Sequence, residues 1–291
     1  MKKLGIYLII SLLIVTLVKG QDSVPVQKDK PIRSPFESGM LIDNETMVIP
    51  TAKTLELVIQ HRFGEMSNGM EDFYGIWAPS NIRLGFNYSI LNTLMVGVGT
   101  SKDYRLQDFR MKYNLLQQTR SDKIPLSITL YGNFAIDARN QDVFEGYSSP
   151  YELIDRFSYF GELILTRKFS DIFTLQLSGS FSHINKVPEG IEHDKIGLSF
   201  AGRFKISPQS SILFQYDIPL DCEKMKENAV LMNVKPNFGV AWEIATSSHA
   251  FQITLSSAKL LSRQYDMIYN EYDWTEGDIM LGFNMTRLWS F

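Results

Sequence analysis

The stretch "NIRLGFNYSI LNTLMVGVGT", residues 81–100, decides the fold. In its first half Ile82, Leu84, Phe86, Tyr88 and Ile90 alternate with Asn81, Arg83, Gly85, Asn87 and Ser89. After a break at Asn92 and Thr93, Leu94, Val96 and Val98 alternate with Met95, Gly97 and Gly99. A period of two places successive side chains on opposite faces of a strand. The stretch therefore reads as two strands joined by a tight turn, each with one apolar face. The question is what that face touches.

The same pattern recurs. From Thr54 onward the chain carries twelve alternating segments of about nine to thirteen residues, the first being "TLELVIQHRF" and the last ending in "LGFNMTRLWSF". Soluble strands are commonly about five or six residues, whereas a tilted strand needs roughly 9 to 11 to cross the hydrocarbon layer. The connections alternate as well. Those after the even segments are short ("LNT", "QQTRSDK", "FSD", "SPQS", "TSSH"). Those after the odd segments are long (64–80, 138–155, 185–193, 219–235 and 259–275), with a short exception near 102–105. Short turns at one end and long loops at the other are a property of membrane barrels. The expected fold is all-β: a transmembrane antiparallel up-and-down β-barrel of about twelve strands, preceded by a cleaved signal peptide. Its apolar face meets lipid and its polar face lines the lumen. Because no strand edge can stay open in lipid, the sheet must close.

Composition is compatible with this reading without demanding it. The 291 residues are 21% charged and 12% aromatic, with a formal net charge of -3. The mean hydropathy of -0.09 is that of many soluble proteins, but a barrel with a polar lumen averages to a similar value. No basic block stands out, which argues against a nucleic-acid partner. Lys2 and Lys3, an apolar run from Leu4 to Val18, and Gly20 before Gln21 form a signal-peptide pattern with cleavage near Gly20. No cysteine stands directly after the cut, so no lipoprotein anchor is expected. The sole cysteine, Cys222, cannot form an intramolecular disulfide. The domain plan is a signal peptide over 1–20, an N-terminal segment over 21–53, and an outer-membrane barrel over 54–291. The middle segment carries Pro25, Pro31, Pro35 and Pro50. It is expected to be irregular, sitting at the periplasmic mouth, tucked into the lumen, or left as a disordered tail.

Position within the strands assigns further roles. Glycines 85, 97, 99, 197, 239 and 282 fall on the inward parity, where they let strands bend and make room for larger neighbours. Tyr88, Tyr113, Phe173, Phe204, Phe251, Trp289 and Phe291 fall near the periplasmic strand ends, as an aromatic girdle would. Phe283, Trp289 and Phe291 in the last strand resemble the assembly signal that the barrel-assembly machinery reads. Arg287 breaks the outward parity there. Near the interface a lipid-facing cation costs only about 0 to 1 kcal/mol and can snorkel.

Five phrases, "RSPFESGMLIDNET" (33–46), "HRFG" (61–64), "DFYGIWAPSNIRLGFNY" (72–88), "YGNFAIDAR" (131–139) and "QYDIPL" (215–220), resemble a domain-of-unknown-function family of outer-membrane β-barrels from Bacteroidota-type bacteria. The resemblance covers most of the mature chain. It implies the barrel and the outer-membrane address. It implies no reaction, and it carries over no functional residues.

The chemistry-bearing residues are dispersed. His61, His183, His193 and His249 are scattered, and no metal site or cofactor is expected. Ser180 and Ser182 lie beside His183, but adjacent strand residues point to opposite faces, which defeats the simplest hydrolase pairing. No catalytic residue is assigned, and an outer-membrane hydrolase is the least favoured reading. The inward charges are Glu56, Arg62, Arg83, Asp108, Arg110, Lys112, Asp137, Glu162, Lys195, Arg203, Lys205, Asp217 and Glu243. They would either line a narrow pore for a small solute or fill the lumen with ion pairs, since a buried charge needs a partner. The long loops are acidic and aromatic. Tyr265, Tyr269, Tyr272 and Trp274 would fold over the mouth as a lid, or would bind a glycan or a surface partner. The functional expectation is a narrow channel or transporter, with a structural or partner-binding barrel of occluded lumen as the alternative. Outer-membrane lipid is the expected surround.

Overall fold

The computed structural model describes residues 29–145, 147, 150–221 and 233–291. The expected signal peptide (1–20), residues 21–28 and Cys222 lie outside the described residues. The unit from Pro31 to Phe291 contains the barrel.

Two short strands come first: β1 (Met40–Leu41) and β2 (Asn44–Glu45). Twelve long strands then follow: β3 (Thr54–Glu65), β4 (Asn81–Leu91), β5 (Leu94–Ser101), β6 (Leu106–Leu116), β7 (Ser127–Asp137), β8 (Phe157–Lys168), β9 (Phe173–Ile184), β10 (Asp194–Lys205), β11 (Ser210–Leu220), β12 (Asn237–Ala245), β13 (His249–Ser256) and β14 (Met280–Ser290). Each pairs antiparallel with its sequence neighbour, and β14 closes onto β3 from Ser290↔Thr54 to Met280↔Glu65. This is the closed up-and-down barrel that the alternation predicts. A helical turn, α1 (Asp142–Glu145), lies in the β7–β8 loop, and α2 (Arg263–Tyr269) lies in the β13–β14 loop. Among the described residues no helix is long and apolar enough to cross a membrane.

The period of two survives folding. In β4, Ile82 is half-buried, Leu84, Phe86, Tyr88 and Ile90 are exposed, and Asn81, Arg83, Asn87 and Ser89 are buried. Val98, Phe109, Met111, Leu163, Phe200, Trp242, Ile253 and Phe283 continue the exposed apolar belt on other strands. In water such a belt would forfeit the hydrophobic stabilisation of every residue in it; lipid supplies the missing contact. Strand lengths of eight to twelve residues suit that span. The connections at 92–93, 169–172, 206–209 and 246–248 share one end with Thr54 and Ser290, here called the turn end. The opposite, loop end carries 66–80, 138–156 and 257–279.

The inward face is less uniformly polar than the alternation implied. Val58, Met95, Tyr131, Phe160, Ile164, Ala201, Leu213 and Ala241 also point inward and are buried. Two inward glycines are fixed by close approach. A Cβ on Gly99 would lie 2.2 Å from Arg83 Nη2, and one on Gly282 would lie 2.2 Å from Arg62 Nη1. The guanidinium groups can approach the wall this closely only because those positions lack side chains.

Candidate functional site: a lumen filled from both ends

The segment from Phe36 to Met47 lies inside the barrel, with every residue buried except Glu37. Its hairpin turns at Ile42, which takes a left-handed φ of 55°. A β-branched residue rarely adopts that region, and here the surrounding wall imposes it. Ile42 N–H donates to Gln252 Oε1 (3.1 Å) and Asp43 N–H to Gln215 Oε1 (3.0 Å). Backbone acceptors are met in turn by Gln252 to Met40 O (3.1 Å), Asn284 to Ile42 O (2.7 Å), Gln176 to Glu45 O (2.8 Å), Asn114 to Met47 O (3.0 Å) and Lys112 to Gly39 O (2.8 Å). Backbone groups withdrawn from water must be paired, and here side-chain amides replace a neighbouring strand. Lys112 and Asn114 lie on β6, while Gln215 and Gln252 lie on β11 and β13. Those walls face each other across a ring of twelve, so the hairpin bridges the lumen. Phe36, Leu41 and Ile42 pack on Ala201, Leu213 and Ala241, the inward apolar patch of β10–β12.

Charge fixes the hairpin tip. Asp43 pairs with Arg62, which is wholly buried and also donates to Thr254. The other Asp43 carboxylate oxygen accepts from Gln215 (2.8 Å), Ser256 (3.0 Å) and Asn237 (3.2 Å). Glu45 meets Lys112 (2.7 Å) and Arg110 (2.8 Å). Burial pushes the Glu45 carboxyl up; Lys112 and then Arg110 more than offset this, and the net shift is downward. Arg110 and Arg83 share Asp108, each at 2.7 Å. Glu56 accepts from Asn87 (2.8 Å), and Arg203 bonds Glu37 and approaches Glu243 (3.7 Å). Toward the loop end Lys195 bonds Glu192 and Asp221, and Asp137 holds Arg139 (2.6 Å). Glu162 accepts from Ser178 (2.5 Å). Every one of these inward charges therefore meets the plug, a loop or a neighbouring wall residue, and Lys205 sits half-buried at the turn end.

The second occupant is α2. Its residues Arg263 to Ile268 are buried, although three of them, Arg263, Gln264 and Asp266, are strongly polar. Arg263 donates to Asp217 (2.9 Å) and Ser199 (2.9 Å), and Gln264 donates to Asn133 (2.9 Å). Burial drives the Asp266 carboxyl well up, and Arg263 opposes this only in part. Tyr265 and Ile268 join Leu106, Ile184 and Val187 in an apolar cluster, and the Tyr104 ring lies 4.6 Å from that of Tyr265. Burial raises the phenols of Tyr265 and Tyr269, and that of Tyr104 to about 12. The 259–275 loop thus does more than lie across the mouth: its helix enters the lumen. Tyr272 is half-buried, and Trp274 remains exposed beside Phe238 (5.1 Å).

The remaining candidates take simpler places. Phe283, Trp289 and Phe291 lie on the outward side of β14 or at its end, and Arg287 stacks 4.7 Å over Trp289. His61 stacks on Phe283 at 5.2 Å. His183 bonds Asp194 (2.6 Å) and Asn185 (2.8 Å), on the face opposite Ser180 and Ser182. Among the described residues no group of three or more His, Cys, Asp or Glu could hold a metal.

Sequence reasoning missed Asp43, Glu45, Gln215, Gln252 and Arg263. A signal for the wall residues did exist. Ala201, Leu213 and Ala241 are small or apolar residues on a lumen-facing parity, and they call for an apolar occupant.

A closed twelve-stranded wall with an apolar exterior and a charged, self-filled interior defines a membrane-bound β-barrel. The chain belongs to the family described as membrane bound beta barrel domain (DUF5777), whose model matches residues 36–289. That match includes the lumenal hairpin as well as the strands. Comparison with curated proteins gave no match. Among solved structures, the chain is similar to the KdgM porin in complex with disordered oligogalacturonate (8% identity, 82% of this chain and 99% of that one, TM-score 0.46). It is also similar to the COG4313 outer membrane channel from Pseudomonas putida F1 (10% identity, 84% and 97%, TM-score 0.49). A third similar structure is the NanC porin (8% identity, 81% and 98%, TM-score 0.49).

Proposed function

We propose that this protein is an outer-membrane channel for a small hydrophilic solute, held shut by its own N-terminal segment and opened when that segment or α2 withdraws. The turn end then faces the periplasm, as short turns do in such barrels. The observation that carries the reading is the chemistry of the plug's attachment. Besides its buried apolar residues Phe36, Met40, Leu41, Ile42 and Met47, it is held by hydrogen bonds and ion pairs to a wall whose groups water or a polar solute could satisfy equally well. A barrel whose lumen is filled for good would gain from an apolar interior, because replacing a buried ion pair with packed hydrophobic residues is often neutral or stabilising.

The alternative is a permanently filled barrel that presents its loops to a partner. The exposed Met70 and Trp77 of the β3–β4 loop favour it. Planar-bilayer recording of the purified protein separates the two. Wild type should be mostly silent, and Asp43→Ala/Glu45→Ala should show frequent openings. A double variant that folds normally and stays silent would remove the channel reading.

A further inference from the structure

At the turn end, away from the lumen, three segments enclose an open cleft of about 590 Å³. Arg33 comes from the N-terminal segment, Arg120 from the β6–β7 connection, and Arg167 and Lys168 from the last residues of β8. The segments are stitched together: Ile32 N–H donates to Gln118 O (3.0 Å), and Arg120 Nε to Pro31 O (3.1 Å). Four cations line the cleft against two carboxylates. Asp122 pairs with Arg167 (2.9 Å) and Asp171 with Lys168 (2.8 Å). Among the described residues no carboxylate lies within ion-pair distance of Arg33 or Arg120, and the buried Nε of Arg167 has no hydrogen-bond partner. Asp171 sits below its ordinary value, chiefly through Lys168, with Arg33 and Lys205 adding to the effect.

The surroundings say what kind of anion this is. Arg167 lies on the outward parity of β8, stacked 5.4 Å over Phe169. Phe169, Ile172 and Ile206 are the exposed turn residues beside the cleft, and Phe173 and Phe204 (4.5 Å apart) continue the apolar surface up the barrel. A cationic cleft at the membrane boundary, continuous with a greasy wall, fits a molecule that is anionic at one end and apolar along its length. A soluble anion would make no use of that wall.

We propose that this cleft binds the phosphate headgroup of an anionic phospholipid in the leaflet at the turn end, with the acyl chains lying along Phe169, Phe173 and Phe204. Arg33 and Arg120 are the principal phosphate ligands, and Arg167 is the ligand at the lipid boundary. Because Arg33 precedes the plug by only a few residues, a bound lipid would also fix the point where the plug leaves the barrel.

The test uses full-length protein in nanodiscs and native mass spectrometry of the lipid retained after extraction. Wild type should retain phosphatidylglycerol at least about tenfold over phosphatidylcholine, and Arg33→Gln/Arg120→Gln should lose that preference. Ser207→Gln/Gln209→Glu, in the neighbouring turn, should keep it. Shift of the barrel band on heating reports folding, and neither cleft residue is in the wall. Equal retention of the two lipids by wild type, or an undiminished preference in the arginine variant, would overturn the proposal. So would inorganic phosphate displacing phosphatidylglycerol at equal concentration, because the site would then be one for a free anion.

Discussion

The two occupants of the lumen are held in different ways. The hairpin at 40–45 has its backbone groups matched by wall amides and both its acids matched by cations, leaving only Asn44 Oδ1 of its own buried side-chain atoms without a partner. Among the described residues α2 itself carries more such atoms, Ser262 Oγ, Arg263 Nε, Gln264 Oε1, Asp266 Oδ1 and Asn270 Oδ1, while the wall carries some beside both occupants: Glu162 Oε2, Ser180 Oγ and Ser182 Oγ at α2, Arg62 Nε and Asn284 Oδ1 at the plug. Buried polar atoms without partners cost roughly 1–3 kcal/mol each unless water reaches them. By its own groups the plug is the firmer closure and α2 the looser one. A path opened from the loop end would meet the weaker barrier first.

The largest effect should come from breaking the firm closure. Asp43→Ala strips the partner from the wholly buried Arg62 and should cost the plugged state about 3–5 kcal/mol. Chemical unfolding in detergent reads that loss. Asp43→Ala/Arg62→Met should recover most of it, and no recovery would mean that the pair is not the anchor.

Next comes the wall. Leu84→Lys, on the lipid face, should cost about 2–4 kcal/mol in folding titrations into vesicles. Asn87→Lys, on the same strand but 2.8 Å from Glu56, should cost less, since the new cation gains a carboxylate. Equal costs would contradict the two-faced assignment of β4.

The smallest effect is on α2, and its sign is opposite to that at Glu45. The Asp266 carboxyl is raised by burial; Arg263 opposes this, Asp43 and Asp217 reinforce it, and Arg62 opposes it weakly. A carboxyl whose folded value is raised contributes stability at low pH and loses it as pH rises through the folded value. Glu45 is lowered, so its contribution is present above the ordinary glutamate value and is lost as pH falls through its lowered value. Raising pH from about 4 should therefore loosen α2. Proteolysis of the 257–279 loop across that range should accelerate in wild type and stay flat in Asp266→Asn. A flat wild-type profile would remove the contrast.

Most of the wall was legible in the sequence, and little of what fills it was. Alternation over strands such as 81–90 is local, and the loop-length pattern carries topology, so strand number and facing could be read from residues alone. The inward charges were legible as a set, but not as pairs: Glu45 meets Lys112 across 67 positions, and Arg203 meets Glu37 across 166. Strand register and a closed ring determine those distances, and no local pattern records them. The hairpin was hidden for a different reason. Met40–Leu41 and Asn44–Glu45 are too short to show a period, and their partners are side-chain amides rather than strands. Helix α2 was hidden because its buried face is polar, which reads as an exposed loop.

Residues 40–45 occupy the lumen as a folded part of the barrel. Hydrogen exchange of the intact protein in nanodiscs tests it most directly, at the amides of Ile42 and Asp43. Their bonds to Gln252 and Gln215 predict protection comparable with that of the β11 and β13 amides around them. Exchange at the rate of an unstructured peptide would contradict it.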